Sequence, residues 1–122
     1  MSHIVEIQTE CRDPVAVASA CQRLGLAEPV EGTTTLFSTS VSGLLVQLPG
    51  WVYPAVVSLN TGQIVYDNFE GRWGNPAELG RFLQAYAVTK ALSEARRRGH
   101  AVAEHTLSDG SIRLVIAAGG GR

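Results

Sequence analysis

The stretch AVVSLNTGQIVY, residues 55–66, decides the fold. Two short apolar runs, 55–59 and 63–66, flank Asn60-Thr61-Gly62. Asn and Gly accept the left-handed backbone conformations that tight turns require, so the stretch predicts an antiparallel hairpin. Downstream, residues 67–74 read Asp-Asn-Phe-Glu-Gly-Arg-Trp-Gly, a polar and aromatic loop. Asn75-Pro76-Ala77-Glu78 then predicts a helix start, with Asn75 as cap, Pro76 at the first position and Glu78 as capping-box partner. The helix is expected to reach Arg98 and stop at Gly99, with Leu79, Phe82, Leu83, Tyr86, Ala87 and Ala91 on one broad face. Beyond it, 101–107 and 111–117 flank Ser108-Asp109-Gly110, a second hairpin signal.

Upstream of the first hairpin, a β-branched run at 33–39 and an apolar run at 44–48 predict two strands joined by a turn at Ser42-Gly43 and stopped by Pro49-Gly50. Further back, Asp13-Pro14 opens a helix whose apolar stripe is Val17, Ala18, Cys21 and Leu24, closed by Gly25. Residues 3–9 read as the first strand. The order is therefore β-α-β-β-β-β-α-β-β. Amphipathic helices need a sheet to cover, and hairpin links make that sheet mainly antiparallel. The expectation is an α+β two-layer sandwich with two helices on one face. One domain is expected over 1–117, and a flexible glycine-rich tail over 118–122.

Composition narrows the function classes. The chain has 122 residues, 45% of them hydrophobic and 17% charged, with a net charge of −1. Intrinsic disorder needs low hydrophobicity and high net charge, and is excluded. Ten basic residues against eleven acidic give no polybasic arm for nucleic acid. No apolar run approaches the roughly 18 residues of a membrane span. The start Met1-Ser2-His3-Ile4-Val5-Glu6 carries no basic leader, which points to a cytoplasmic protein. Cys11 and Cys21 are expected to be free, buried thiols.

Three constellations are candidates for function. The first is the aromatic stretch 49–75, where Trp51, Tyr53, Phe69, Arg72 and Trp73 have the composition of an interface hot spot. The second is Tyr86, Lys90 and Glu94, at successive i, i+4 steps of the long helix. They offer a polar pocket for an anion or small molecule, with Lys90 as its base or anion ligand. The third is histidine: His3 and His105 meet if their strands are neighbours, with Glu6 or Glu104 beside them. HxH, HxxxH and HExxH spacings are all lacking, so no metal is expected. The sequence has no GxSxG elbow, P-loop or GxGxxG, and Cys11 beside Arg12 has no evident base. Neither catalytic residues nor a cofactor are expected.

Several segments together resemble a known family. They are Met1-Ser2-His3, Tyr66-Asp67-Asn68 before Gly71-Arg72-Trp73-Gly74, Leu83-Gln84-Ala85-Tyr86-Ala87-Val88, Glu94-Ala95-Arg96-Arg97-Arg98-Gly99 and Asp109-Gly110-Ser111-Ile112-Arg113-Leu114. The sequence resembles the small conserved proteins called hypothetical chloroplast reading frame thirty-five, found in cyanobacteria, planctomycetes, phages and red-algal plastids. The resemblance covers nearly the whole chain, densest from Tyr66 onward and weakest over 30–58. It implies no activity and no catalytic residues. Through the gene neighbourhoods of that family it implies an accessory or adaptor role beside an AAA-type ATPase. Together these readings predict a non-enzymatic adaptor that binds a protein partner through the Trp/Arg loop. The Tyr86, Lys90 and Glu94 pocket is the alternative, and a homodimer through a free sheet edge is a further arrangement.

Overall fold

The computed structural model describes residues 4–36 and 39–117. The expected tail at 118–122, and the approach of His3 to His105, lie outside the described residues. The elements are β1 (Val5–Gln8), α1 (Pro14–Arg23), β2 (Val30–Leu36), β3 (Thr39–Val46), β4 (Ala55–Val57), β5 (Gln63–Tyr66), α2 (Pro76–Arg97), β6 (Ala101–Thr106) and β7 (Ile112–Ala117). A short helical turn, Phe69–Gly71, precedes α2. This is an α+β fold whose strands pair antiparallel throughout the described residues. Five strands form one sheet in the order β1-β5-β4-β3-β2, and β6 and β7 form a sheet of their own. The chain divides into two compact units after Tyr86, inside α2.

In the first unit the hairpin of 55–66 forms as its turn chemistry requires. Gly62 N donates to Ser58 O at 2.7 Å, and Gly62 takes φ +81°. The return strand β5 is then flanked by β1 on its other side, with Ile7 opposite Ile64 and Val5 opposite Tyr66. Alternate residues of the sheet, among them Leu44, Val46, Ala55, Val57 and Ile64, join one core cluster with Ala16, Val17, Ala20 and Cys21 of α1 and Leu79, Phe82, Ala85 and Tyr86 of α2. α1 and the part of α2 up to Tyr86 thus cover one sheet face.

The caps are local. Asp13 Oδ1 accepts from Val15 N at 3.0 Å and Ala16 N at 3.3 Å, a contribution of about 1 kcal/mol to helix stability. Asn75 Oδ1 accepts from Ala77 N at 3.0 Å. Glu78 turns its carboxylate to Arg81 at 2.8 Å.

One expectation is corrected. Ser42-Gly43 is not a turn. Both residues lie inside β3, where Gly43 faces Gly32. A Cβ at Gly43 would stand 2.7 Å from Val57 O, so this glycine lets two backbones approach within the sheet. The pairing of β2 with β3 runs instead from Val30 opposite Leu45 to Leu36 opposite Thr39.

Cys11 and Cys21 are free and buried. Burial, and to a lesser degree the nearby Cys21, push the Cys11 thiol from 9.0 up to about 12; burial pushes Cys21 up as well. Folding therefore favours the neutral thiols. That contribution is complete below about pH 9 and is lost as pH rises towards 12. At neutral pH neither thiol of the native protein should react with Ellman's reagent, and both should react in guanidinium. Rapid labelling of the native protein would show that the thiols are reachable after all.

In the second unit, α2 buries Val88, Leu92 and Ala95 and ends at Arg97, with His100 N donating back to Ala95 O at 2.9 Å just beyond it. The β6–β7 hairpin turns at 107–111, where Asp109 Oδ1 accepts from Ser111 N at 3.0 Å.

Candidate binding surface

The loop 67–75 follows β5 directly, and Asn68 holds it together. Asn68 O accepts from Gly71 N at 3.0 Å and Trp73 N at 2.9 Å, while its side-chain amide donates to Gly74 O at 3.2 Å. Trp73 O in turn accepts from Val52 N at 2.9 Å, which ties the loop to residues 51–54. Two chain segments far apart in sequence thereby become one surface.

Trp51 anchors the end of this loop from within the core. It is 5% exposed, and its indole N–H donates to Asn75 O at 3.0 Å. Gly74 is its seat: a Cβ there would stand 2.5 Å from the indole ring. Tyr66 flanks the indole at a centroid distance of 5.4 Å. The expectation that Trp51 touches a partner is therefore corrected. A large apolar ring with one N–H is more stable buried and bonded than exposed, and the core supplies both conditions.

The remaining members contact one another. Trp73 and Phe69 are half-buried, with centroids 4.5 Å apart. Tyr53 meets Trp73 edge-on at 5.8 Å. The Arg72 guanidinium lies over the Phe69 ring, 5.2 Å from its centroid. Val52, beside them in sequence, is 59% exposed. The structure thus brings together Tyr53, Phe69, Arg72 and Trp73, and it adds Val52, which the aromatic pattern could not reveal.

Backbone strain accompanies the cluster. Phe69 has φ +48° and Glu70 φ +54°, two consecutive non-glycine residues in the left-handed region. Each such placement costs about 1–2 kcal/mol. Asp67 helps hold them: its Oδ1 accepts from Phe69 N at 3.1 Å. Asp67 is 1% exposed and its Oδ2 has no hydrogen-bond partner among the described residues. An orphaned buried oxygen of this kind costs about 1–3 kcal/mol. Strain and an orphaned polar atom in one short loop are features that accumulate at functional sites. Phe69 and Asp67 carry no sequence signal for either, since nothing marks a phenylalanine for a positive φ.

The alternative pocket fares differently. The Tyr86 hydroxyl accepts from Arg12 N at 3.2 Å and Asp13 N at 3.1 Å, and donates to Glu10 O at 3.2 Å. It locks the segment before α1 and has no bond left for a ligand. Glu94 pairs with Arg97 and with Arg98, the latter at 3.6 Å. Lys90 is half-buried. No group of three or more metal-binding side chains occurs among the described residues. No helix among them is long and apolar enough to cross a membrane.

The chain matches no family model, no curated protein and no solved structure.

Proposed function

We propose that this protein is a binding module, an adaptor that captures a protein partner through Val52, Tyr53, Phe69, Arg72 and Trp73. One observation carries the reading. An aromatic and arginine cluster stands partly exposed on a strained loop whose far end is bonded to a buried tryptophan. Aromatic rings and arginine dominate interface energetics because they bury much area with few rotatable bonds. A cluster already held in place loses little further entropy on binding. The resemblance to the reading-frame family adds an AAA-type ATPase assembly as the partner to look for.

The test is affinity purification of the tagged protein from its host, with mass spectrometry of whatever co-purifies. Trp73→Ala is expected to cut partner affinity by about thirtyfold or more, the loss of a hot-spot residue, with the circular dichroism spectrum unchanged. A folded variant with undiminished capture would overturn the reading. Loss of folding would assign Trp73 to the scaffold.

A further inference from the structure

We infer that the partner meets this surface with a carboxylate: an aspartate or glutamate side chain clamped by Arg72, beside an apolar side chain received by Val52, Tyr53 and Trp73. The inference rests on the binding-module reading and adds the chemistry of the partner.

The argument begins with Arg72. Its guanidinium lies over the Phe69 ring, 5.2 Å from the centroid, and no ion pair or hydrogen bond from that side chain to another described residue accompanies the ring contact. The ring contact engages none of the guanidinium N–H groups as hydrogen-bond donors to oxygen, so they stay available. An arginine restrained by a ring is partly pre-organised, and its fork matches the two oxygens of a carboxylate. The backbone serves this arrangement. Asp67 Oδ1 and Asn68 O fix the turn in which Phe69 adopts φ +48°, and Arg72 N donates to Phe69 O at 3.0 Å. Ring and guanidinium are thus set on the same four-residue segment, Phe69 to Arg72.

Charge then selects between oxyanions. Glu70 is exposed on that same turn, and the chain as a whole carries −1. A phosphate monoester bears about −1.5 to −2 at pH 7 and would be repelled about twice as strongly by Glu70 as a carboxylate. The surface admits one negative charge, not two. The apolar half of the surface is supplied by Val52, 59% exposed, and by the edge-on pair Tyr53 and Trp73. The recognised segment is therefore an acidic residue flanked by an apolar one.

The probe is a short acetylated and amidated peptide with one aspartate between leucines. Its counterparts carry asparagine or phosphoserine at that position. Binding is read from the Arg72 Nε–H and Trp73 indole N–H signals in NMR titrations of the full chain. The aspartate peptide is expected to bind about tenfold more tightly than the asparagine peptide, and Arg72→Lys is expected to lose about that factor because a lysine offers no fork. Arg72 is exposed, so the substitution leaves the fold in place. Equal binding of the asparagine peptide, or an unchanged Arg72→Lys variant, would overturn the carboxylate. If that neutral binding still required Trp73, the module reading would stand without it. Tighter binding of the phosphoserine peptide would replace the carboxylate with phosphate. Absence of binding by all three peptides would also overturn this inference, while the module reading would still be decided by partner capture.

Discussion

Trp51→Ala is expected to lower the free energy of unfolding by about 3–5 kcal/mol, the range for removing a large ring from a core. Domains of this size are stable by only about 5–15 kcal/mol, so the variant would fold barely or not at all. Three losses combine. The ring leaves a void in the cluster that includes Leu48 and Phe82. Asn75 O, at the cap of α2, loses the donor that reached it at 3.0 Å. Gly74, which has no side chain because the indole occupies that space, can fill nothing. Urea denaturation measures the effect. A loss under about 1 kcal/mol would show that the ring is not core. The contrast with Trp73 is the informative part. Two tryptophans 22 positions apart meet the same loop, yet one is expected to control folding and the other binding.

The second large effect is expected at Gly62. Gly62→Ala places a methyl group 2.1 Å from Thr9 O, on a residue whose φ is +81°. The neighbour is backbone, held by Thr9 N donating to Gly62 O at 3.0 Å and by Thr9 Oγ1 donating to the same oxygen at 2.5 Å. Neither side can yield without breaking the junction between the hairpin turn and the end of β1. The left-handed penalty and the overpacking together predict a loss of about 2–4 kcal/mol. Gly25→Ala is the internal control. Its φ is +72°, but the added methyl group meets nothing within 4 Å, so only the conformational cost of about 1 kcal/mol remains. Equal losses at the two sites would show that the close approach at Thr9 contributes nothing.

The features that could be read from sequence are those fixed by chemistry within a few residues. Asp13-Pro14, Asn75-Pro76, Asn60-Thr61-Gly62 and Asp109-Gly110 each mark a cap or turn that forms where expected. The errors arose where a distant segment decides. Gly43 resembled a turn residue because its real constraint, the carbonyl of Val57, lies on another strand. Trp51 resembled a surface anchor because its seat is Gly74, and its acceptor Asn75 is 24 positions away. Tyr86 looked like a pocket residue on a helical stripe, and its hydroxyl binds backbone more than 70 positions upstream. Composition identified the cluster of Tyr53, Phe69, Arg72 and Trp73; only the folded chain separates its exposed members from their support.

The strand order has a consequence for synthesis. Three of the four pairings in the large sheet join strands adjacent in sequence, and the fourth joins Val5 to Tyr66. At about 5–20 residues per second, roughly 3–12 seconds separate the appearance of Val5 from that of its partner. During that time β1 is an apolar strand without a sheet, and α1 has no Phe82 to lie against. β1 is therefore held in reserve until β5 has been made. The nascent chain depends in that interval on whatever shields Ile4, Val5 and Ile7 at the ribosome.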